Sequence, residues 1–114
     1  MARVLIVEDE PSIARIIQFK LEREGHRTRW VEGGEAARDR AGEADVVVLD
    51  SALPEVDLAT LVAELSRRSR LLLLVDSRSA RMAEGGLQGA DEVLRKPFRP
   101  TQLARLVRRL GEAR

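Results

Sequence analysis

The sequence has no cysteine and no tyrosine, and among its 114 residues there is one histidine, one tryptophan and two phenylalanines. Without cysteine there can be no disulfide and no thiolate metal site, which suits a reducing cytosol. With His26 the sole histidine, a multi-histidine zinc site and a nucleophilic triad needing a second histidine are excluded. Aromatics make up only 3% of the chain, so Leu, Val, Ile and Ala must build the core. Neither sign of charge is in excess. Twenty basic residues against nineteen acidic ones leave a formal charge of +1, too balanced for a surface that binds nucleic acid directly. No long apolar run is present either. Val4 to Val7 is far too short for a signal segment or a membrane span. The expectation is a cytoplasmic protein with no membrane partner.

What is present is enough apolar residue, 44%, for one globular domain over residues 1–114. Short apolar runs alternate with amphipathic segments. The runs Val4 to Val7, Val46 to Leu49 and Leu71 to Val75 each stop at a polar or acidic residue. Such runs predict strands buried on both faces, as in a parallel sheet covered by helices. Between them, Ile13, Ile16, Ile17 and Leu21 carry helical spacing, as do Leu58, Leu61, Val62 and Leu65, and Leu103, Leu106, Val107 and Leu110. Pro11 suits the first helical turn and Gly25 the end of that helix. Weaker strands are expected near 27–31 and 91–94, and weaker helices near 34–41 and 79–88. Five βα units result, and the fold class is α/β.

In open α/β sheets, ligands bind at the carboxyl ends of the strands. Glu8, Asp9 and Glu10 follow the first strand, Asp50 the third, Asp76 and Ser77 the fourth, and Lys96 and Pro97 the fifth. Several carboxylates at one sheet edge repel one another unless a positive charge sits among them. A hard divalent cation with oxygen ligands meets that need, and magnesium is the expected ion. A phosphoryl group on Asp50 would then be held between the cation and Lys96.

At these residues the chain resembles a response-regulator receiver domain from end to end. The matching text is Val4-Leu5-Ile6-Val7-Glu8-Asp9-Glu10-Pro11, Val47-Val48-Leu49-Asp50 with Leu53-Pro54 and Asp57, and Gly89-Ala90-Asp91-Glu92 leading to Lys96-Pro97-Phe98. Gly25-His26 and Glu32 to Ala37 also fall where the family has similar text. The resemblance implies a flavodoxin-like (βα)5 three-layer sandwich with a five-stranded parallel sheet of order 2-1-3-4-5. It implies Asp50 as phosphoacceptor, Asp9 as direct metal ligand, Glu8 acting mainly through water, and the Ala52 carbonyl completing the protein's share of the metal shell. Lys96 would pair with the phosphoryl, and the donor would be a sensor histidine kinase. Such a module is not an enzyme beyond assisting its own phosphorylation and dephosphorylation. The face made by the fourth helix, fifth strand and fifth helix is the family's usual signalling and dimer surface. Here Asp91, Glu92, Arg95, Arg105 and Arg108 would supply the charges of a weak two-fold contact.

Three positions depart from the family pattern. Where a Thr or Ser is usual at the end of the fourth strand, the preferred alignment puts Asp76, with Ser77 in the small-residue position that follows. A shifted alignment gives Ser77 the hydroxyl role instead. The aromatic three residues before the lysine is Val93, and the glycine usual after Asp57 is Leu58. Asp76 and Val93 support a rival reading, a pseudo-receiver that binds proteins without phosphotransfer. A flavin-binding relative is disfavoured because three acids follow the first strand, where a phosphate would be repelled. A hydrolase with a nucleophilic Asp after that strand lacks its Asp-x-Asp text. Among the remaining candidates, Asp57 is read as a helix cap, His26 as a surface residue and Trp30 as packing on the second strand, away from the site. The arginines near 67–70 and 105–109 are read as solvated helix ends.

Overall fold

A computed structural model of the chain describes residues 1–54, 57–77 and 89–112. The apolar runs form β1 (Arg3–Val7), β3 (Val46–Asp50) and β4 (Arg70–Val75), and the edges are completed by β2 (Arg27–Val31) and β5 (Glu92–Arg95). All pairings are parallel, and the order is β2-β1-β3-β4-β5. Alternation along the strands sends side chains to two separate cores. Leu5, Val7, Val47, Leu49, Leu71 and Leu73 pack with α2 (Gly34–Arg40) and α3 (Leu58–Ser66). Val4, Ile6, Val46, Val48, Leu72 and Leu74 pack with α1 (Pro11–Arg23) and the C-terminal helix (Pro100–Glu112). This is the three-layer α/β sandwich expected from the alternating pattern. The helix expected near 79–88 lies outside the described residues. No helix among the described residues is long and apolar enough to cross a membrane.

Local signals explain where elements stop. Pro11 opens α1, and Gly25 follows its end with φ +92°, a conformation costly for any residue with a Cβ. Asp57 caps α3, accepting from the Thr60 hydroxyl at 2.7 Å, and these bonds hold its carboxyl below the usual range. Gly89 also has positive φ, and a Cβ there would stand 2.5 Å from Ser66 Oγ. Two residues on, Asp91 clamps β5 to β4: its N–H donates to Leu71 O and its carboxylate accepts from Leu71 N–H at 2.7 Å.

Three expectations need correction. The first helix does not bury its whole apolar stripe. Ala14, Ile17 and Leu21 face the sheet, whereas Ile16 stays 53% exposed on the flank of the helix and Ile13 is half-buried. His26 is not a surface residue. It is buried, and its Nδ1 accepts from the Ala2 N–H at 3.0 Å. Burial, followed by the nearby amino terminus, lowers its pKa from 6.5 against the pull of Glu24. Nδ1 can accept only when it carries no proton, so the proton of the neutral ring sits on Nε2, a buried atom with no hydrogen-bond partner among the described residues. Trp30, finally, is not remote from the strand ends, as its hydrogen bond to Glu8 shows below.

Candidate functional site

The site lies where β1, β3, β4 and β5 end. Asp50 is the last residue of β3 and is 2% exposed. Two donors meet its Oδ1: the Ala52 N–H at 3.3 Å and the Lys96 ammonium at 2.8 Å. Lys96 is delivered from the residue after β5, where its N–H donates to Val75 O and extends the sheet by one bond. The peptide bond from Lys96 to Pro97 is cis. Burial lowers the lysine pKa, but the hydrogen bond and charge of Asp50, with Glu8 and Glu10 behind them, outweigh it and the net shift is upward. Lys96 is therefore a fixed cation at neutral pH.

Opposite the lysine lie three carboxylates. Ligand oxygens of Glu8, Asp9 and Asp50 all fall within 4.8 Å of one another. Glu8 is 1% exposed. Its Oε1 accepts from the Glu10 N–H at 3.1 Å, while its Oε2 is buried without a hydrogen-bond partner among the described residues. Burial, then repulsion from Asp50, raises its pKa to about 7. A buried carboxylate oxygen with no donor, beside two further carboxylates, carries a cost that a positive ion removes. The donor set is all oxygen and suits a hard divalent cation, so the residues fit the metal their pattern implies.

Of the residues singled out from the sequence, Glu8, Asp9, Asp50 and Lys96 are brought together. Ala52 follows Asp50 by two residues, exposed and already tied to it through its N–H. Asp76 is half-buried directly beyond β4, and Ser77 is exposed in the next turn. Asp76 and Lys96 also line a groove of about 540 Å³ with Ile13, Ile16, Pro97 and Phe98. That apolar groove was not anticipated. Its signal was in the sequence: Ile16 beside Ile17 puts more apolar residues on α1 than one buried face needs.

These strand ends carry an acid cluster, a buried strand-terminal aspartate and a lysine bonded to it, and the whole chain can be compared with known proteins on that footing. The response regulator receiver domain family matches residues 4–108. The chain belongs to that family. Curated relatives include the transcriptional regulatory protein CutR of Streptomyces coelicolor, 41% identical over 96% of this chain and 53% of CutR. The sensory transduction protein RegX3 of Mycobacterium tuberculosis is 38% identical over 95% of this chain and 50% of RegX3. The receiver thus spans about half the length of the curated relatives it matches. Among solved structures, the Francisella response regulator 1452 receiver domain superposes with a TM-score of 0.86 at 28% identity, covering 98% of both chains. Receivers of two-component systems are phosphorylated on an aspartate by a kinase, and that is the function expected of this receiver.

Proposed function

We propose that Asp50 is the phosphoacceptor of this receiver, that its donor is a sensor histidine kinase and that the reaction needs magnesium. The observation carrying the proposal is the 2.8 Å bond from Lys96 to a buried strand-end carboxylate flanked by two more acids. In this reading a carboxylate oxygen of Asp50 forms a P–O bond while the P–N bond to the donor imidazole breaks, and the imidazole takes up a proton. Lys96 accompanies the charge on the phosphoryl oxygens through the transfer. Asp9, Asp50, Glu8 and the Ala52 carbonyl would hold magnesium, which when bound neutralises carboxylate and phosphoryl charge. The chain assists its own phosphorylation and dephosphorylation and catalyses nothing else. A protein donor is supported by the groove beside Lys96, whose apolar wall includes the exposed Ile16. A second copy would be at most a weak partner. Asp91 is held by Arg70, Glu92 by Arg109 and Arg108 by Glu112 within one chain, so a two-fold contact through these charges would exchange existing pairs rather than add new ones.

The test is intact mass after incubation with acetyl phosphate. The expected result is one added phosphoryl group with magnesium and little with chelator. No gain under excess donor and magnesium would end the phosphoacceptor reading in favour of the pseudo-receiver. Asp76 supports that rival, since it is half-buried at the strand end where a hydroxyl is usual and shares a groove with Lys96. At about 4 Å, like charges repel by roughly 4 kcal/mol at an effective dielectric of 20. A neutral hydrogen bond is worth only about 1 kcal/mol. Allowing for partial solvation of Asp76, Asp76→Thr should raise the initial rate of phosphorylation by about tenfold. Equal rates in the two proteins would give the hydroxyl role to Ser77.

A further inference from the structure

We infer that Trp30 is a positioning residue for the cation site, acting through the hydrogen bond from its indole N–H to the Glu8 carbonyl. The inference rests on the magnesium reading above. The bond is 2.7 Å long and joins the second strand to the residue that begins the acid cluster. Glu8 lies just past β1, and both of its backbone polar groups are tied to the end of β2. Its N–H donates to Val31 O at 3.1 Å, and its carbonyl accepts from Trp30.

The geometry explains why that carbonyl matters. The peptide unit between Glu8 and Asp9 is planar and stiff. Fixing its oxygen fixes the direction of the Asp9 N–H and the position from which the Asp9 side chain departs. Glu8 and Asp9, one on each side of this unit, are two of the three carboxylates whose oxygens lie within 4.8 Å of one another. The donor is itself well held. Trp30 stands opposite Ile6 in the β1–β2 register and packs against the core on the α1 side of the sheet. An indole has one donor and no acceptor, so it cannot exchange this role for another. A phenylalanine at the position would keep the packing and lose the bond, leaving the carbonyl to water and the peptide unit free to tilt. Partners that orient metal ligands from one bond away typically change metal affinity by about 10- to 100-fold when removed. The lower end applies here, because the ligand side chains themselves remain.

The chain has a single tryptophan, so one indole N–H signal in a proton–nitrogen correlation spectrum reports this bond unambiguously. Titration of the whole chain with magnesium should move that signal along the same binding curve as the amides of Asp9 and Asp50. Trp30→Phe should bind magnesium about tenfold more weakly at a temperature well below its unfolding transition. Protein carrying 5-fluorotryptophan, which keeps the N–H, should bind as the unlabelled protein does. An unchanged dissociation constant in Trp30→Phe overturns the inference, as does an indole signal that stays put while the Asp9 and Asp50 amides move. If Trp30→Phe fails to fold, the indole titration of the wild type decides alone. A wild type in which no amide responds to magnesium overturns the magnesium reading itself, and with it this inference.

Discussion

Asp50→Asn should reduce phosphoryl incorporation to background, with or without magnesium, while the protein stays folded. The loss follows from chemistry: an amide oxygen is too poor a nucleophile to displace the donor, and Asp50 is the buried strand-end carboxylate that Lys96 reaches. The retention of fold follows from two opposing electrostatic changes. Asn removes one partner of an ion pair whose side chains are 23% and 3% exposed. Breaking a buried pair costs about 3–5 kcal/mol when the remaining charge stays buried. Lys96 is less buried than that limit, and the Asn oxygen can still accept from it. Asn also removes the second cause of the raised Glu8 pKa, the repulsion from Asp50. The two terms have opposite signs and offset one another, so the unfolding midpoint should move far less than the phosphorylation signal. Phosphoryl uptake by Asp50→Asn at the wild-type level would assign the acceptor role to another residue.

The same variant separates site chemistry from metal binding. With the Asp50 charge gone, the cluster of three carboxylates is reduced to Glu8 and Asp9, and magnesium should bind more weakly. Lys96 loses the Asp50 charge, one of the causes that raise its pKa, and keeps an oxygen to donate to and the charges of Glu8 and Glu10. Beryllofluoride, a phosphoryl mimic, should accordingly bind the wild type and fail on the variant.

What could be read in advance followed from where each element sits. β1, β3 and β4 are covered on both faces, so their sequences are continuous apolar runs with an abrupt polar stop. Those stops place Asp9, Asp50 and Asp76 at one edge of the sheet from the sequence alone. The edge strands gave weaker signals. Arg27–Val31 and Glu92–Arg95 are half-solvated and carry charged residues, Arg27 and Arg29 in the first and Glu92 and Arg95 at the two ends of the second. Their positions were still read to within a residue, because family text and spacing supplied what periodicity lacked. His26 was misread because nothing local marks it. Its burial depends on the Ala2 backbone, 24 residues away. Trp30 packs on the second strand as expected, but that it also reaches Glu8 depends on the register pairing Ile6 with Trp30, and no sequence motif states a register. Ile16 was legible as part of a helix but not as exposed, since an apolar stripe does not reveal how wide the face it packs against is.

Glu8→Gln should stabilise the metal-free protein at pH 8 by a few kcal/mol and leave it nearly unchanged at pH 5. The carboxyl of Glu8 titrates near 4.5 when unconstrained and at about 7 in the folded chain. Between those values the folded state binds more protons than the unfolded one, so stability falls as pH rises from about 4.5 to 7 and levels off above. A shift of that size corresponds to about 3–4 kcal/mol at roughly 1.4 kcal/mol per pKa unit. His26 acts in the opposite sense. Its lowered folded pKa adds stability above its ordinary value of 6.5, and this is lost as pH falls. The raw pH profile of the wild type therefore mixes two opposing slopes, and the difference between wild type and Glu8→Gln isolates the carboxylate, since both proteins keep His26. Gln preserves the shape and the oxygen that accepts from the Glu10 N–H, removes the charge and puts an amide donor where the second oxygen stood near Asp50. Magnesium should reverse the order. By binding the folded state it should stabilise the wild type more than Glu8→Gln, and the gap seen in chelator should narrow or change sign. Urea unfolding at pH 5 and pH 8, in chelator and in magnesium, measures all four quantities. Parallel pH profiles for the two proteins in chelator would mean that Glu8 bears no unfavourable charge, and the argument that its unpartnered oxygen waits for a cation would fall.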